Sequence, residues 1–390
     1  MAKQSFMPCR GIDMVSEDAA MVQGGREPFV FMRDAVNVNV TPGGKLDMIA
    51  SGGKVTDNKY QCLWQSPLHK DLFGLLAGWW VKINPTDWTS EQLLYIGEGF
   101  IYHTLLNNQV CAAGREGIFT YDGNSALPIG INTPPPPIAY GGIDQSKQTR
   151  SIAISWVRGS LESALSDYVT SGAQTEVVLP MVTDPTVTGV HVYSTSLGGT
   201  DMQLAGRASV NDNSYQILED HKLGRAAQFS HLSVMPTGKH LCYWRGRLIT
   251  ATANVIRFSE ALAYHLHDER HGFIQTGQRV TFIHPVEGGL WVGQTDHVIF
   301  IAGTQLDDMS MSIKSAKPPI PDSAIQVSSN ELGEAAELGG QVVVWLASNG
   351  YVAGTGSGQV IEYQAKRLDN ISANSGSSVV FARRLLTSVN

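Results

Sequence analysis

The densest group of potential metal ligands in the sequence is the run HLHDERH. It comprises His265, His267 and His271, with Asp268 and Glu269 between them. Imidazole and carboxylate groups at this density can bind zinc or nickel. The helical HEXXH pattern is absent, however, and the run follows a predicted strand as a polar segment. We therefore interpret it as a solvated or interface loop, and metal binding is the alternative.

A glycine-rich run, Gly354–Gly358 (GTGSG), has the composition of a phosphate-binding loop. A phosphate cradle needs a helix N-terminus directly after the glycines. The next residues, QVIEYQ, have the pattern of a strand instead. The run is therefore predicted to be a hairpin turn. No GxSxG motif occurs, so the sequence does not support a nucleophile elbow either.

Paired carboxylates at one end of a β-propeller would indicate a glycosidase. The acidic residues here lie mainly in predicted linkers and turns: Asp57, Asp71, Glu98, Glu116, Asp122, Glu287 and Asp296. The repeated Ser-x-Asp-x-Gly-x-x-Trp turn of sialidases is absent. Most of the eight tryptophans fall on apolar strands, where core packing is expected, and Trp88 is predicted to be the most exposed of them. We expect no enzyme and no cofactor or metal, with a glycosidase as the enzymatic alternative.

The overall charge gives no sign of a nucleic-acid-binding domain. The 390 residues have a formal net charge of −7, and only 16% of them are charged. Affinity for nucleic acid comes mostly from positive charge. The isolated basic pairs Arg245 with Arg247 and Arg383 with Arg384 are interpreted as solvated or interface residues.

Cysteine content and hydropathy indicate the compartment. The four cysteines are far apart and form no CxxC pair, so we expect free thiols in a reducing compartment and no zinc site. No secretory signal is recognised near the N-terminus. The longest apolar run, 72–81, is too short to cross a bilayer. We expect a soluble protein that is made in a cytoplasm.

A short apolar strand, a turn and a second apolar strand recur along the chain from about residue 60. High glycine content, 40 residues, suits the many tight turns. Five such hairpins are predicted, at 94–102, 110–121, 248–258, 290–301 and 343–353. A single hairpin cannot bury both of its faces, so the units must stack. The fold class is therefore predicted to be all-β, as a β-propeller of five to seven blades. A β-sandwich or a set of unrelated hairpins is the alternative.

Two segments depart from this repeat. Residues 1–58 are predicted to form an N-terminal arm, in which Val36, Val38 and Val40 alternate with polar residues before a Pro-Gly-Gly turn. Residues 136–235, which begin within four consecutive prolines, contain several longer strands. This spacing is typical of an inserted immunoglobulin-like or fibronectin-like β-sandwich. The propeller would then comprise residues 59–135 and 236–390.

Several motifs resemble those of tail proteins of double-stranded DNA bacteriophages. The arm segment DAVNVNVTPGGKLDMI is similar to the asparagine-rich strand and Pro-Gly turn that open these proteins. Within the insert, ISWVRGSLESALSD and VTGVHVYSTSLGGTDMQLAG resemble two strand pairs of the family. HLCYWRGRLITATANVIRFSEAL and GGLWVGQTDHVIFIAGT resemble its propeller blades. The sequence departs from the family pattern at His191 and Ser194, where basic residues are usual.

The resemblance implies a structural virion protein of the tail nozzle or hub. It implies a ring of copies, often six, that connects the tail adaptor or portal-side proteins to fibre, spike or needle proteins. The ring would line the exit channel for double-stranded DNA without sequence-specific binding, in the virion tail, after synthesis in the bacterial host cytoplasm. A receptor- or glycan-binding tail module is the alternative. The acidic net charge agrees with a conduit, because a negative lumen does not retain passing DNA.

Overall fold

The computed structural model describes residues 7–41, 43–49, 52–142, 147–228, 231–314, 316–331, 339–381 and 384–390. These residues form 37 strands and three short 3-10 helices (Asp18–Ala20, Leu306–Asp308 and Ser329–Glu331), without an α-helix. The chain is therefore all-β, as the sequence predicts. Across the same residues, no helix has the length and apolar character that a membrane crossing would need. The chain divides into two compact units, residues 1–59 with 276–390 and residues 60–275.

The N-terminal arm belongs to the first unit and contains two small sheets. Its strands are β1 (Cys9–Ile12), β2 (Val22–Gln23), β3 (Phe29–Met32), β4 (Val38–Val40) and β5 (Leu46–Met48). β1, β3 and β2 form one sheet, in which Phe31 is buried. β4 and β5 form the predicted antiparallel hairpin, with Val38 opposite Met48 and Val40 opposite Leu46.

The second unit opens with two four-stranded antiparallel sheets. The first is β6 (Gln61–Gln65), β7 (Leu72–Leu76), β8 (Trp79–Ile83) and β9 (Ser90–Tyr95). The second is β10 (Tyr102–Leu106), β11 (Gln109–Gly114), β12 (Gly117–Tyr121) and β13 (Ala126–Pro128). The predicted hairpin at 110–121 is confirmed as β11–β12. The predicted hairpin at 94–102 is wrong, because β9 and β10 belong to different sheets and the intervening Gly97 and Gly99 connect them.

The segment after the prolines forms two sheets that share one core. Its strands are β14 (Ile138–Tyr140), β15 (Arg150–Arg158), β16 (Leu161–Glu162), β17 (Val169–Ser171), β18 (Thr175–Val178), β19 (Gly189–Ser194), β20 (Gln203–Ala208) and β21 (Ser214–Ile217). β14, β18 and β21 form the smaller sheet. β16, β15, β19 and β20 form the larger sheet, and β17 also pairs with β15. Ile154, Trp156 and Val192 of the larger sheet pack in one cluster with Val177 and Ile217 of the smaller sheet.

The second unit closes with a third four-stranded sheet. The remaining strands are β22 (Leu232–Val234), β23 (Lys239–Trp244), β24 (Arg247–Thr252), β25 (Val255–Phe258), β26 (Leu266–Asp268) and β27 (Phe273–Gln275). β23, β24, β25 and β27 form the sheet, and β22 pairs with β26 beside it. The hairpin predicted at 248–258 is confirmed as β24–β25.

The first unit continues with two more four-stranded sheets and a terminal hairpin. The strands are β28 (Val280–Val286), β29 (Gly289–Gln294), β30 (Val298–Ala302), β31 (Ser310–Lys314), β32 (Ile325–Ser328), β33 (Gln341–Ala347), β34 (Gly350–Gly354), β35 (Val360–Glu362), β36 (Gly376–Phe381) and β37 (Arg384–Val389). The hairpins predicted at 290–301 and 343–353 are confirmed as β29–β30 and β33–β34. Trp291 and Trp345 are fully buried, with ring centroids 5.5 Å apart, in the cluster that joins these two sheets.

Candidate functional site

The histidine run does not form a metal site. His265 and His267 are buried on and beside β26, so the predicted solvated loop is wrong for these two residues. Nε2 of His265 donates to the carbonyl oxygen of Glu162 at 2.9 Å, and Nδ1 of His267 donates to that of Phe258 at 2.9 Å. His271 is exposed and its Nδ1 lies 3.2 Å from a carboxylate oxygen of Asp268. Across the residues that the structure describes, no group of three or more His, Cys, Asp or Glu side chains could hold a metal ion.

The other candidates have structural partners. Gly354–Gly358 is the turn between β34 and β35, as predicted. Arg247 donates to the carbonyl oxygen of Ser259 at 2.6 Å, and the guanidinium of Arg245 lies over the Trp244 ring. Trp88 is half-buried against Tyr60 rather than the most exposed tryptophan. Arg383 lies outside the described residues, and Arg384 donates a hydrogen bond to Asn39 Oδ1 at 2.7 Å.

The most concentrated set of polar groups in the second unit surrounds the carboxylate of Glu162. Oε1 accepts hydrogen bonds from Ser155 Oγ and Tyr193 Oη, both at 2.6 Å. Oε2 accepts a hydrogen bond from Arg225 Nη2 at 3.0 Å. Nδ1 of His191 lies 3.1 Å from Oε1, outside hydrogen-bond geometry. The Glu162 side chain is only 5% exposed, so four groups converge on a buried carboxylate.

Strand alternation positions these groups. Ile154 and Trp156 of β15 and Val190 and Val192 of β19 point into the shared core. The residues between them on each strand must therefore project from the opposite face of the larger sheet. That face carries Ser155, His191 and Tyr193, and Ser155 and Tyr193 are buried. The larger sheet is thus buried on both of its faces, with an apolar face and a polar face.

The electrostatics of this cluster fix its protonation state. Burial by itself would raise the pKa of Glu162, but His191, Ser155 and Tyr193 favour the charged form and lower the pKa to about 2. Burial and the neighbouring carboxylate raise the pKa of Tyr193, so its phenol remains a donor. A carboxylate with a lowered pKa is a poor general acid. Glu162 is therefore ionised near neutral pH and acts as a hydrogen-bond acceptor for its neighbours.

Hydrogen bonds around Glu162 attach the 138–217 segment to the rest of its unit. Arg225 lies in a stretch that hydrogen-bonds alongside β20, so its contact is internal to the predicted domain 136–235, whereas His265 follows β25 and reaches Glu162 from outside that domain. On the same segment, Arg158 donates to the carbonyl oxygen of Pro128 at 2.7 Å, and Arg150 donates to that of Glu219 at 3.2 Å. The segment is therefore hydrogen-bonded to residues that precede it, at Pro128, and to residues that follow it, at Glu219 and His265.

A second buried titratable group lies between the first two sheets of the second unit. The imidazole of His103 stacks on Trp64 with ring centroids 5.0 Å apart, and Phe73 and Trp80 lie slightly further away, at 6.1 and 6.0 Å. Burial lowers the pKa of His103 to about 3, so this ring is neutral near pH 7. The aromatic residues around it belong to the core cluster. We assign this group to packing.

A shallow depression of about 440 Å³ is lined by Asp71, Lys82, Asn84, Thr89 and Glu91, among others. Asp71 is not free to act in a catalytic pair, because its carboxylate lies 3.2 Å from the ammonium of Lys82. Burial would lower the pKa of Lys82, but the hydrogen bond and charge of Asp71 raise it. The Lys82 ammonium therefore remains charged near neutral pH and forms an ion pair with Asp71.

Exposed apolar side chains form a different kind of candidate, namely interaction surfaces. In the first unit they include residues on or beside the two hairpins β4–β5 and β36–β37, and Met311 and Ile313 of β31. In the second unit they include residues of the 138–217 segment and Leu262. The exposed residues on or beside the hairpins are Val36, Leu46, Met48, Val379, Phe381 and Leu386, and those of the 138–217 segment are Ile138, Tyr140, Tyr168 and Met181.

Sequence reasoning missed both the Glu162 cluster and the apolar hairpin faces. The partners of Glu162 are 7 to 63 residues away along the chain, so no local sequence motif indicates the cluster. The terminal hairpin did offer a signal, because GSSVVF and RLLTSV each have the pattern of a short strand of mixed polarity. Without the pairing register, however, the outward residues could not be distinguished from the inward ones.

The sequence matches no protein-family model and no curated protein. Several solved structures are similar in part. The AfRom2 CNH domain has a TM-score of 0.30 at 9% identity, covering 90% of this chain and 94% of that one. BBS1N in complex with ARL6DN has a TM-score of 0.32 at 11% identity, covering 84% and 88%. Sqt1 of Saccharomyces cerevisiae has a TM-score of 0.30 at 10% identity, covering 79% and 74%. All three scores are below 0.5, so none of these likenesses indicates a function for this chain.

Proposed function

We propose that this chain is a structural protein of a bacteriophage tail, which assembles with copies of itself into a ring of the nozzle or hub. Its ring would connect the tail adaptor to distal tail parts and surround the path of the DNA. The four-stranded antiparallel sheets are blades of a β-propeller in this proposal, and residues 138–217 form an inserted β-sandwich. The motifs of the arm, the insert and the blades support the tail assignment by resemblance.

The proposal depends chiefly on two observations: buried titratable groups have partners within the chain, and some apolar side chains are exposed to water. Buried titratable groups such as Glu162, His265 and His103 are occupied by structural contacts or packed among aromatic rings. In the two hairpins of the first unit, Leu46, Met48, Val379, Phe381 and Leu386 are exposed to water. Contiguous exposed apolar residues are typical of protein interaction sites. An assembly role would use these exposed apolar side chains as contacts between copies.

The experiment that tests this proposal is a count of the chain in purified phage particles. Quantitative mass spectrometry against the major capsid protein is expected to give about six or twelve copies per particle, as cyclic or stacked rings require. A chain that is absent from particles, or present in hundreds of copies, would contradict a tail ring.

The insert favours a second candidate function, binding of a host receptor or glycan. Tyr140 and Tyr168 are exposed, and Tyr140 lies opposite Glu176 on the smaller sheet. Exposed tyrosines combine an apolar ring with a polar hydroxyl and are frequent at binding surfaces. The full chain is expected to bind host cells, and Tyr140→Ser with Tyr168→Ser is expected to abolish that binding. Binding that persists in the double variant would refute a role for this surface.

A further inference from the structure

The arm hairpin β4–β5 has one apolar and one polar face. Its register places Val38 opposite Met48 and Val40 opposite Leu46, so these four side chains share a face. Asn39 and Asp47 are paired on the other face. Met48 is 83% exposed and every residue of β5 is exposed, whereas Val38 and Val40 of β4 are half-buried. An isolated two-stranded hairpin is marginally stable in water, so the exposed half of this apolar face is a cost to the single chain.

The terminal hairpin β36–β37 covers a sheet with one face and exposes the other. Val380 and Leu385 pack on the cluster of Val327, Val342, Val344 and Ala353. Ser378 and Thr387 lie on the same inner face, and Thr387 Oγ1 accepts a hydrogen bond from Tyr351 Oη at 2.9 Å. The outer face therefore carries Val379, Phe381 and Leu386, and Phe381 is 69% exposed.

The two apolar faces do not cover each other within one chain. Arg384, on the outer face of the terminal hairpin, donates to Asn39 Oδ1 of the arm hairpin at 2.7 Å. Asn39 belongs to the polar face, so this contact turns the polar face of the arm toward the terminal hairpin. The apolar face of the arm is on the opposite side of its hairpin, where Leu46 and Met48 are exposed to water.

Charge favours a contact between these two hairpins from different copies. Residues 34–49 contain two aspartates, Asp34 and Asp47, and a single lysine, Lys45, giving a net charge of −1. Residues 376–390 contain two arginines and no acidic residue, giving +2. Opposite net charges promote encounter and suppress pairing of like with like. A contact between two terminal hairpins would bring like charges together.

We propose that the apolar face of β4–β5 in one copy docks on the outer face of β36–β37 in a second copy of this chain. The two surfaces differ, so the contact is head-to-tail and propagates into a ring or a filament. The inference deepens the proposed function, because it names the surfaces through which copies would assemble. It requires self-association of the chain, and it does not require that the assembly be a phage tail.

Two single variants and their mixture test the head-to-tail contact. Met48→Glu places a charge in the arm face, and Phe381→Glu places one in the terminal face. Both side chains are largely exposed, so we expect both variants to fold, which circular dichroism checks. Met181→Glu, at an 82% exposed position of the insert, is the matched control. Sedimentation velocity in reducing buffer measures the oligomeric state.

The expected result is specific to two unlike surfaces. The wild-type chain and Met181→Glu form oligomers larger than a dimer, and each interface variant alone associates more than about tenfold more weakly. An equimolar mixture of Met48→Glu and Phe381→Glu forms a dimer and stops there, because one intact arm face meets one intact terminal face.

Three results would overturn the inference: a wild-type chain that stays monomeric through the micromolar range, an interface variant that self-associates alone as tightly as the wild-type chain, or a mixture without a dimer. Each outcome is separate from the particle count. A chain with ring stoichiometry in particles and no dimer in the mixture retains the proposed function but uses other surfaces.

Discussion

The larger sheet of the 138–217 segment and the terminal hairpin differ in the face that each turns away from its apolar core. Both are packed on an apolar core by one face. The second face of the insert sheet is polar and buried, with Glu162 at its centre. The second face of the terminal hairpin is apolar and exposed, with Phe381 at its edge. The groups of the polar face are hydrogen-bonded within the chain, whereas Val379, Phe381 and Leu386 of the apolar face are exposed to water. The first kind of face stabilises the single chain, whereas the second kind is available for contact with another molecule.

The largest expected effect concerns the polar face. Glu162→Ala leaves the hydroxyls of Ser155 and Tyr193 buried without their acceptor, so the free energy of unfolding should fall by about 3 kcal/mol. Chemical denaturation followed by fluorescence measures the loss. Glu176→Ala, at an exposed acid of the same insert, is the control and should change stability by less than about 0.5 kcal/mol. Equal effects of the two substitutions would show that the cluster does not anchor the sheet.

Acid should weaken the same face. The folded pKa of Glu162, about 2, is below its ordinary value of 4.5. Its contribution to stability is therefore complete above pH 4.5 and is lost as the pH falls through 2, by about 3 kcal/mol in total. Unfolding measured from pH 6 to pH 2 should show this loss in the wild-type chain. Glu162→Gln should show a shallower dependence, and identical slopes would rule out the carboxylate as the cause.

Two adjacent leucines sharpen the contrast within the terminal hairpin. Leu385 points inward and Leu386 points outward. Leu385→Ala should lower the free energy of unfolding of the monomer by about 2 kcal/mol, because it leaves a cavity above the sheet. Leu386→Ala should change it by less than about 0.5 kcal/mol and should instead weaken self-association. The reverse order in denaturation would mean that the register of β36–β37 is wrong.

The smallest expected effect is at the contact between the two hairpins. Arg384 donates to Asn39 at the protein surface, where water competes for the hydrogen bond. Arg384→Ala should therefore alter unfolding by no more than about 0.5 kcal/mol. It should reduce self-association more at low than at high salt, because screening weakens the attraction to the acidic arm. Association that is unchanged at every salt concentration would show that the charge of Arg384 does not contribute to the contact between copies.

Local patterns predicted the strands well where strand neighbours are also sequence neighbours. The hairpins β11–β12, β24–β25, β29–β30 and β33–β34 follow from two apolar runs around a tight turn. The same pattern failed at 94–102. There the backbone N–H of Ile96 donates to the carbonyl oxygen of Gly78, which lies between β7 and β8. Ile96 therefore still belongs with the first sheet, and the chain passes to the next sheet only after it. A turn between sheets and a turn within a hairpin contain the same residue types.

The candidate site was less predictable than the fold because its contacts are long-range. Glu162 has the sequence environment of a turn, and only the pairing of β15 with β19 brings His191 and Tyr193 beside it. His265 lies in a polar run that predicts a solvated side chain, yet it is buried. Its imidazole donates to the carbonyl oxygen of Glu162, 103 residues away. Burial of polar residues depends on such partners, which composition and spacing do not reveal.

If another copy of the chain covers the exposed hairpin faces of the first unit, residues of the two hairpins from different copies must lie in contact. The most direct measurement places a photoreactive benzoylphenylalanine at position 381 in copies of natural isotopic composition and mixes them with ¹⁵N-labelled wild-type chain. After irradiation, mass spectrometry should find adducts between position 381 and residues 36–48 of the ¹⁵N-labelled copies. Adducts confined to a single copy, or to other segments of the labelled chain, would contradict the account.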